Sequence, residues 1–331
     1  MKTVVVPTNG SILSCIGNTP FQALDVSFGE SRYRVFVKLE FMNPSGSIKD
    51  RIAKYMIEQA EQKGRLKPGY TIVEATSGNT GIALSMVGAA KGYKVLIVMP
   101  EHMTGERIKI MTNFGANLCL TPKDQGFEGA VARARKIAES GDRFFLTNQF
   151  ANSDNTAAHY FCTGREIIEQ MTGDIDAFVA GVGTGGTLMG IGKALREKKP
   201  NVHLVAVEPE ESAVLSGHAA TGDHKIAGIG DGFIPEIFHM DFIDEIITIK
   251  SDEAVNMAQI LSSQFGLMVG ISSGANVLGS IRVLDKIGHD RNVVTVLPDR
   301  AERYFSTDLY LSNQTKVKQC SKHCECPFDK F

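Results

Sequence analysis

Strand-like and helix-like segments alternate along almost the whole chain, and this alternation narrows the fold more than any other feature of the sequence. Lys94–Met99 (KVLIVM) is a continuous apolar run, as expected of a parallel strand buried on both faces. Around it, Tyr33–Glu40, Thr71–Ala75, Asn117–Thr121 and Phe144–Asn148 are strand-like. Ser47–Gln62, Asn79–Ala90, Gly105–Phe114 and Glu128–Glu139 carry helical spacing. A second series runs from helix Asn155–Thr172 through strand Ala177–Ala180, helix Thr187–Lys198 and strand Val202–Val207. It continues with strand Glu245–Ile249, helix Ser251–Phe265 and strand Asn292–Leu297. Parallel strands need crossover helices on both faces, so the pattern predicts an α/β fold. Two series in 331 residues, more than one core usually supports, predict two open twisted parallel-sheet domains with a cleft between them.

Charge and hydropathy exclude some partners. Lys+Arg totals 35 and Asp+Glu 37, a net charge of −2 that offers no basic footprint for nucleic acid. No apolar run approaches the ~18 residues of a membrane span, and MKTVVVPTNGS is too weakly apolar for a signal peptide. A cytoplasmic protein is predicted. In a reducing compartment Cys15, Cys119 and Cys162, set among apolar segments, are predicted to be buried free thiols.

Three segments share the order strand, small-residue turn, helix: Thr76–Gly81 (TSGNTG), Gly181–Thr187 (GVGTGGT) and Gly270–Ala275 (GISSGA). Ligands of open α/β sheets sit at such turns, where glycine allows close approach and a helix N-terminus presents free N–H groups. Gly181–Thr187 suits a phosphate best, through amides around Gly183, Gly185 and Gly186 and the hydroxyls of Thr184 and Thr187. No lysine follows the glycines, so it is not a Walker A loop. No acidic residue stands ~20 positions on, so it is not a dinucleotide fingerprint. Pro44–Arg51 (PSGSIKDR) places Lys49 among small residues at a helix start, with Ser45 or Ser47 as N-cap and Asp50 in the first turn. The helix dipole there disfavours charged lysine, and a depressed pKa is what a Schiff-base lysine needs.

Lys38–Arg51 (KLEFMNPSGSIKDR), Thr76–Leu84 (TSGNTGIAL), Gly181–Gly190 (GVGTGGTLMG) and Gly270–Ala275 occur in order. Together they resemble the cysteine synthase and cystathionine β-synthase family of pyridoxal 5′-phosphate (PLP) enzymes, fold type II, from about Ile12 to Tyr310. The pattern is nearest O-acetylserine sulfhydrylase. The resemblance implies a smaller mobile domain of residues 36–152, a larger PLP-anchoring domain of residues 12–35 plus 153–315, and a Cys-rich tail, 316–331. It implies that Lys49 forms the Schiff base with PLP and that Gly183, Thr184, Gly185, Gly186 and Thr187 hold its phosphate. Asn79 bonds the 3′ oxygen, and Ser272, with Ser273 as the alternative match, faces the pyridine nitrogen. A neutral serine there leaves the ring a weaker electron sink, which favours expulsion of a β-substituent. Thr76, Ser77, Gly78, Thr80 and Gln149 receive the substrate carboxylate, with Gly230 a further substrate contact.

The implied reaction is β-replacement on an activated serine through an α-aminoacrylate, most simply O-acetylserine plus sulfide giving L-cysteine. Lys49 is the general base. The chain lacks a haem-binding N-terminal extension and room for a regulatory C-terminal domain, which points to a short enzyme of the cysteine synthase type. A homodimer is implied, and the serine acetyltransferase C-terminal peptide is an implied partner for the cleft. A purely regulatory binding module is the third reading, and the retained Lys49 argues against it.

Two positions depart from the family pattern. In His102–Arg107 (HMTGER), Thr104 and Gly105 stand where a serine and a bulky residue are usual. In Gly228–Pro235 (GIGDGFIP), Asp231 stands where cysteine synthases carry a small residue and cystathionine synthases an aromatic one. The loop borders the β-carbon side of the substrate in the family. A carboxylate there can orient or deprotonate a nucleophile, or protonate a leaving group, and it repels hydrosulfide. A solvated turn aspartate is the plain alternative. Asp231 thus opens a second reading: β-replacement on L-cysteine or L-serine, as in sulfide-releasing, cystathionine, lanthionine or diamino-acid synthases. In the tail, Cys320, His323, Cys324 and Cys326 are soft-metal ligand types, but four within seven residues are tight for a tetrahedral site, and a mobile tail is the expectation.

Overall fold

The structure, a computed structural model, describes residues 11–101, 105–220, 224–307 and 309. Thr104 and the Cys320–Cys326 cluster lie outside the described residues. Among the described residues ten strands form two sheets. The larger has the order β1 (Phe21–Phe28), β2 (Ser31–Lys38), β10 (Val293–Val296), β7 (Ala177–Gly181), β8 (His203–Pro209) and β9 (Glu245–Ile249). The smaller has the order β5 (Asn117–Thr121), β4 (Lys94–Pro100), β3 (Thr71–Ala75) and β6 (Phe144–Leu146). Every pairing is parallel except β1 with β2. The α/β architecture expected from the alternating pattern is present.

The hairpin β1–β2 has no counterpart in the sequence reading before Tyr33. Its first strand lies at a sheet edge and buries only Leu24 and Val26, so it lacks the apolar run of the central strands. Parallel strands such as β3, β4 and β8 are buried nearly throughout, and their Val and Ile side chains fill both cores. β2 stays whole within the larger sheet, since Val35–Lys38 pair with Val293–Val296.

Both sheets reverse their strand order once. In the smaller sheet the chain passes from β3 to β4 on one side and places β6 on the other. In the larger sheet β8 and β10 flank β7 in the same way. Loops leaving the carboxyl ends at such reversals diverge and open a crevice. Here the crevices of the two sheets face one another.

Three local expectations are corrected. Gly270–Ala275 follows the helix Ser251–Phe265, not a strand; only Val269 pairs, in one bridge to Arg300. Three residues between Gly266 and Gly270 leave no room for a strand. The helix expected over Asn155–Thr172 is Ser153–Ala158 and Arg165–Gln170 joined by a π-helical turn, His159–Gly164. The neighbouring helix Gly186–Lys198 presses so close that a Cβ on Gly190 would lie 2.3 Å from the Thr156 carbonyl oxygen. The cysteines are free as expected, but Cys15 and Cys162 are exposed and Cys119 is half-buried. Cys119 packs against the core beneath β4 and the helix Gly126–Glu139, whereas Cys162 lies beside the exposed Phe161.

Candidate active site

Lys49 is the first residue of the helix Lys49–Gln62. Ile48 occupies the cap position without a side-chain bond, and Ser47 Oγ accepts from the Lys49 amide at 3.3 Å. Ser45 turns instead to Asp50: its amide (2.7 Å) and its hydroxyl both donate to the Asp50 carboxylate. Gly46, at φ +89°, lies so near Arg303 that a Cβ would sit 2.9 Å from the guanidinium, which donates to the Gly46 carbonyl at 3.0 Å. These bonds hold the turn that presents Lys49. Two residues further, Arg51 donates to both oxygens of Glu40 (2.6 and 2.8 Å) and of Glu166 (2.6 and 2.7 Å). A buried guanidinium is tolerable only with such partners, and they moor the lysine helix to the larger sheet.

Lys49 lines a cleft of about 520 Å³ between the two sheets. Burial in its wall pushes the Lys49 amine below its ordinary pKa, opposed first by the charge of Asp231 and then by that of Asp299. Across the cleft lies the loop from β7 into the helix Gly186–Lys198. Gly185 is left-handed at φ +82°. A Cβ on Gly183 would meet the Gly228 carbonyl at 2.3 Å, and one on Gly186 would meet Asn155 Oδ1 at 2.1 Å. Packing excludes a side chain at Gly185 as well, where a Cβ would lie 2.8 Å from Phe238 Cβ. Asn155 Nδ2 and the Gly186 amide donate to Thr184 Oγ1 (3.0 and 3.3 Å), which leaves the Thr184 hydroxyl proton free to donate into the cleft. Thr187 Oγ1 meets His159 Nε2 at 3.2 Å, and His159 Nδ1 meets Thr163 Oγ1 at 3.0 Å. Burial, with Lys49 and Arg51 adding to it, keeps the imidazole pKa well below normal, so His159 is neutral. A glycine-bound loop, two hydroxyls and a helix N-terminus fit a phosphate.

Thr76–Thr80 follows β3 and Gln149 follows β6, at the reversal of the smaller sheet. Thr80 Oγ1 donates to Gln149 Oε1 at 2.6 Å, so the Gln149 amide nitrogen is left to donate elsewhere. Glu74, buried at the end of β3, braces both segments: its carboxylate accepts from Thr147 Oγ1 (2.5 Å) and from the amides of Gln149 (3.1 Å) and Ala75 (3.0 Å). Asn79 donates through Nδ2 to Asp299 at 2.6 Å, and its Oδ1 is buried without a partner among the described residues. Ser272, in the first turn of the helix Ile271–Ile287, lines the cleft; Ser273 faces away from it, its hydroxyl buried without a partner.

Asp231 lies on the cleft wall formed by the Gly228–Gly232 loop. Its Oδ2 would be 3.7 Å from a Cβ on Gly183, so the carboxylate stands over the glycine loop. The side chain is exposed to the open cleft, yet the enclosing walls push its carboxyl above the usual range; Lys49 and His224 pull it back. Gly230 lines the cleft, but its peptide groups serve the fold. Its amide donates to the Val182 carbonyl, and its carbonyl accepts from Ser212 Oγ (3.1 Å) and meets His224 Nε2 (3.0 Å).

One cleft thus gathers the lysine, the three turns and Asp231. Arg107, His224 and Tyr304 also line the cleft and were not singled out in the sequence, nor were Glu74, Asn155, His159 and Asp299, which bond to residues that line it. Asn155 and His159 are polar residues four apart on one helical face, a spacing that marks a shared neighbour. Phe127, Phe150 and Phe233 stack edge to face at 5.8 and 5.0 Å and join the helix Gly126–Glu139 to the Asp231 loop. Among the described residues no group of three or more metal-ligand side chains occurs, and no helix is long and apolar enough to cross a membrane.

Residues 12–299 match the family described as pyridoxal-phosphate dependent enzymes. A cysteine synthase of Staphylococcus aureus is 47% identical over 301 residues, 91% of this chain and 96% of that protein. The crystal structure of a cysteine synthase from Entamoeba histolytica superposes with a TM-score of 0.85 at 43% identity, covering 97% of this chain and 96% of that one. A hydrogen sulfide-producing enzyme from Fusobacterium nucleatum gives 0.88 at 42% identity, covering 93% and 92%. A variant of that enzyme has been captured with an α-aminoacrylate intermediate. With its glycine loop, its cleft lysine and this likeness over nearly its whole length, the chain belongs to the pyridoxal-phosphate dependent enzymes.

Proposed function

We propose that the cleft carries out PLP-dependent β-replacement on an activated serine, with O-acetylserine and sulfide giving L-cysteine as the leading reaction. The observation that carries this reading is the placement of Lys49, with its depressed pKa, opposite the Gly183–Thr187 loop and beside the Thr76–Thr80 turn. PLP, when bound, supplies the electron-withdrawing ring that acidifies Cα of the amino acid and lets its β-substituent depart. Gly183, Thr184, Gly185, Gly186 and Thr187 hold its phosphate, Asn79 its 3′ oxygen, and the neutral Ser272 hydroxyl its ring nitrogen. Amides and hydroxyls of Thr76, Ser77, Gly78 and Thr80, with the Gln149 amide, fix the substrate carboxylate. The Lys49 amine, favoured in its neutral form by burial, takes the Cα proton and returns it. Closure of the smaller sheet and its helices over the bound amino acid excludes water. A homodimer, a cytoplasmic location and competition for the cleft by the C-terminal peptide of serine acetyltransferase belong to the same reading and rest on the family resemblance.

A second reading is favoured by Asp231. Its charge is the largest that supports protonated Lys49, and by the family resemblance its own loop borders the β-carbon side of the substrate. There it can give a proton to a departing thiolate or take one from an incoming nucleophile, as β-replacement on cysteine with release of sulfide requires. The test compares O-acetylserine, O-phosphoserine, serine and cysteine, scoring cysteine formation and sulfide release in the native enzyme and in Asp231→Asn. Fastest turnover of O-acetylserine, kept in Asp231→Asn, supports the leading reaction. Sulfide release from cysteine that falls about a hundredfold in Asp231→Asn selects the second. Turnover of none of the four contradicts both.

A further inference from the structure

Asp299 is buried to 1% exposure, and among the described residues no cation lies within ion-pairing distance of it. Two features face its carboxylate, a pair of hydrogen bonds to one oxygen and a helix N-terminus. Oδ2 accepts from Asn79 Nδ2 at 2.6 Å and from the Tyr304 hydroxyl at 2.5 Å. Oδ1, packed against Gly270 where a Cβ would lie 2.1 Å away, has no hydrogen-bond partner among the described residues, and the Gly270 amide donates to the backbone carbonyl of Asp299 at 3.0 Å. Gly270 caps the helix Ile271–Ile287, so Asp299 sits at a helix N-terminus, whose dipole favours a negative charge.

A carboxylate can only accept, so it dictates which way the Asn79 carboxamide faces. The NH₂ group must turn to Asp299. Its second N–H and the buried, unpartnered Oδ1 are then left for a ligand in the cleft. Without that charge the amide could flip with little penalty. We propose that Asp299 is a positioning residue that locks the Asn79 carboxamide in the one orientation that meets the cofactor. Tyr304 holds the other side of the same oxygen, and its ring carries the Arg107 guanidinium at 5.3 Å. The segment Leu297–Thr307, which follows the larger sheet, thus reaches two helices of the smaller one, Asn79–Lys91 and Gly105–Asn113. The inference rests on the reading that Asn79 contacts PLP.

The test is a double-mutant cycle on PLP affinity, read by titrating the apoenzyme and following the visible band that forms. Asp299→Asn and Asn79→Ala are each expected to weaken binding about tenfold, and the double variant also about tenfold, because both remove one interaction. Asp299→Asn binding like the native enzyme, or a double variant about a hundredfold weaker, overturns the proposal. Native affinity in Asn79→Ala instead removes the Asn79 contact from the reading of the site, and the proposal with it. Asp299→Ser replaces Asp299→Asn in the cycle if the latter does not fold. Tyr304→Phe keeps the charge and the Asn79 bond, and is expected to bind PLP within about twofold of the native enzyme. A tenfold loss there contradicts the assignment to Asp299.

Discussion

Lys49 and Asp231 bring opposite charges into one cleft, and burial works against both. The amine is pushed down and the carboxyl up, which narrows the gap between their proton affinities. Glu74 shows the same force without a counter-charge. Its neighbours are the Thr147 hydroxyl and two amides, and burial raises its carboxyl to about 7 despite their bonds. An unfolded glutamate ionises near 4.5, so the folded chain binds more protons between that value and about 7. Stability from this group is therefore present below pH 4.5 and is lost as pH rises through about 7. Glu74→Gln cannot titrate. Between pH 5 and pH 8, urea unfolding is expected to show the native enzyme losing about 2 kcal/mol relative to the variant. Parallel stabilities at both pH values would show that Glu74 is not held as a buried, unpaired anion.

The glycine turns were the most legible elements, because a short motif carries both the turn and the helix start that makes it a ligand site. Packing adds what the motif does not state: Gly183 is required because the Gly228 carbonyl presses on it, 2.3 Å from any Cβ. Gly183→Ala must therefore displace the Asp231 loop. It is expected to cost about 1–3 kcal/mol of stability and to weaken PLP binding at least tenfold, measured by unfolding and by titration of the apoenzyme. Gly105→Ala, with nothing within 4 Å of its Cβ, is the control and should leave both unchanged. Other elements were not legible. β1 buries too little to show a period, and the π-helical turn at His159–Gly164 follows from the close crossing at Gly190, a contact between segments distant in sequence. The role of Asp299 depends on a bond across 220 positions, which no local pattern encodes.

At the scale of the molecule, the alternating pattern foretells two parallel sheets, and the reversal of strand order in each explains why one cleft collects residues from Lys49 to Tyr304. The mooring of the lysine helix through Lys38, Glu40, Arg51 and Glu166 joins four elements and was hidden in the sequence, where each looks like an ordinary surface charge. That mooring fixes the place of Lys49 on the cleft wall. The central claim is that this lysine, and no other, bears the cofactor. Borohydride reduction of the holoenzyme, followed by proteolysis and mass mapping, tests it directly. The expected result is a pyridoxyl-phosphate mass on the peptide containing Lys49 alone, with no visible cofactor band in Lys49→Ala. The label on a different lysine, or an unchanged band in Lys49→Ala, would contradict it.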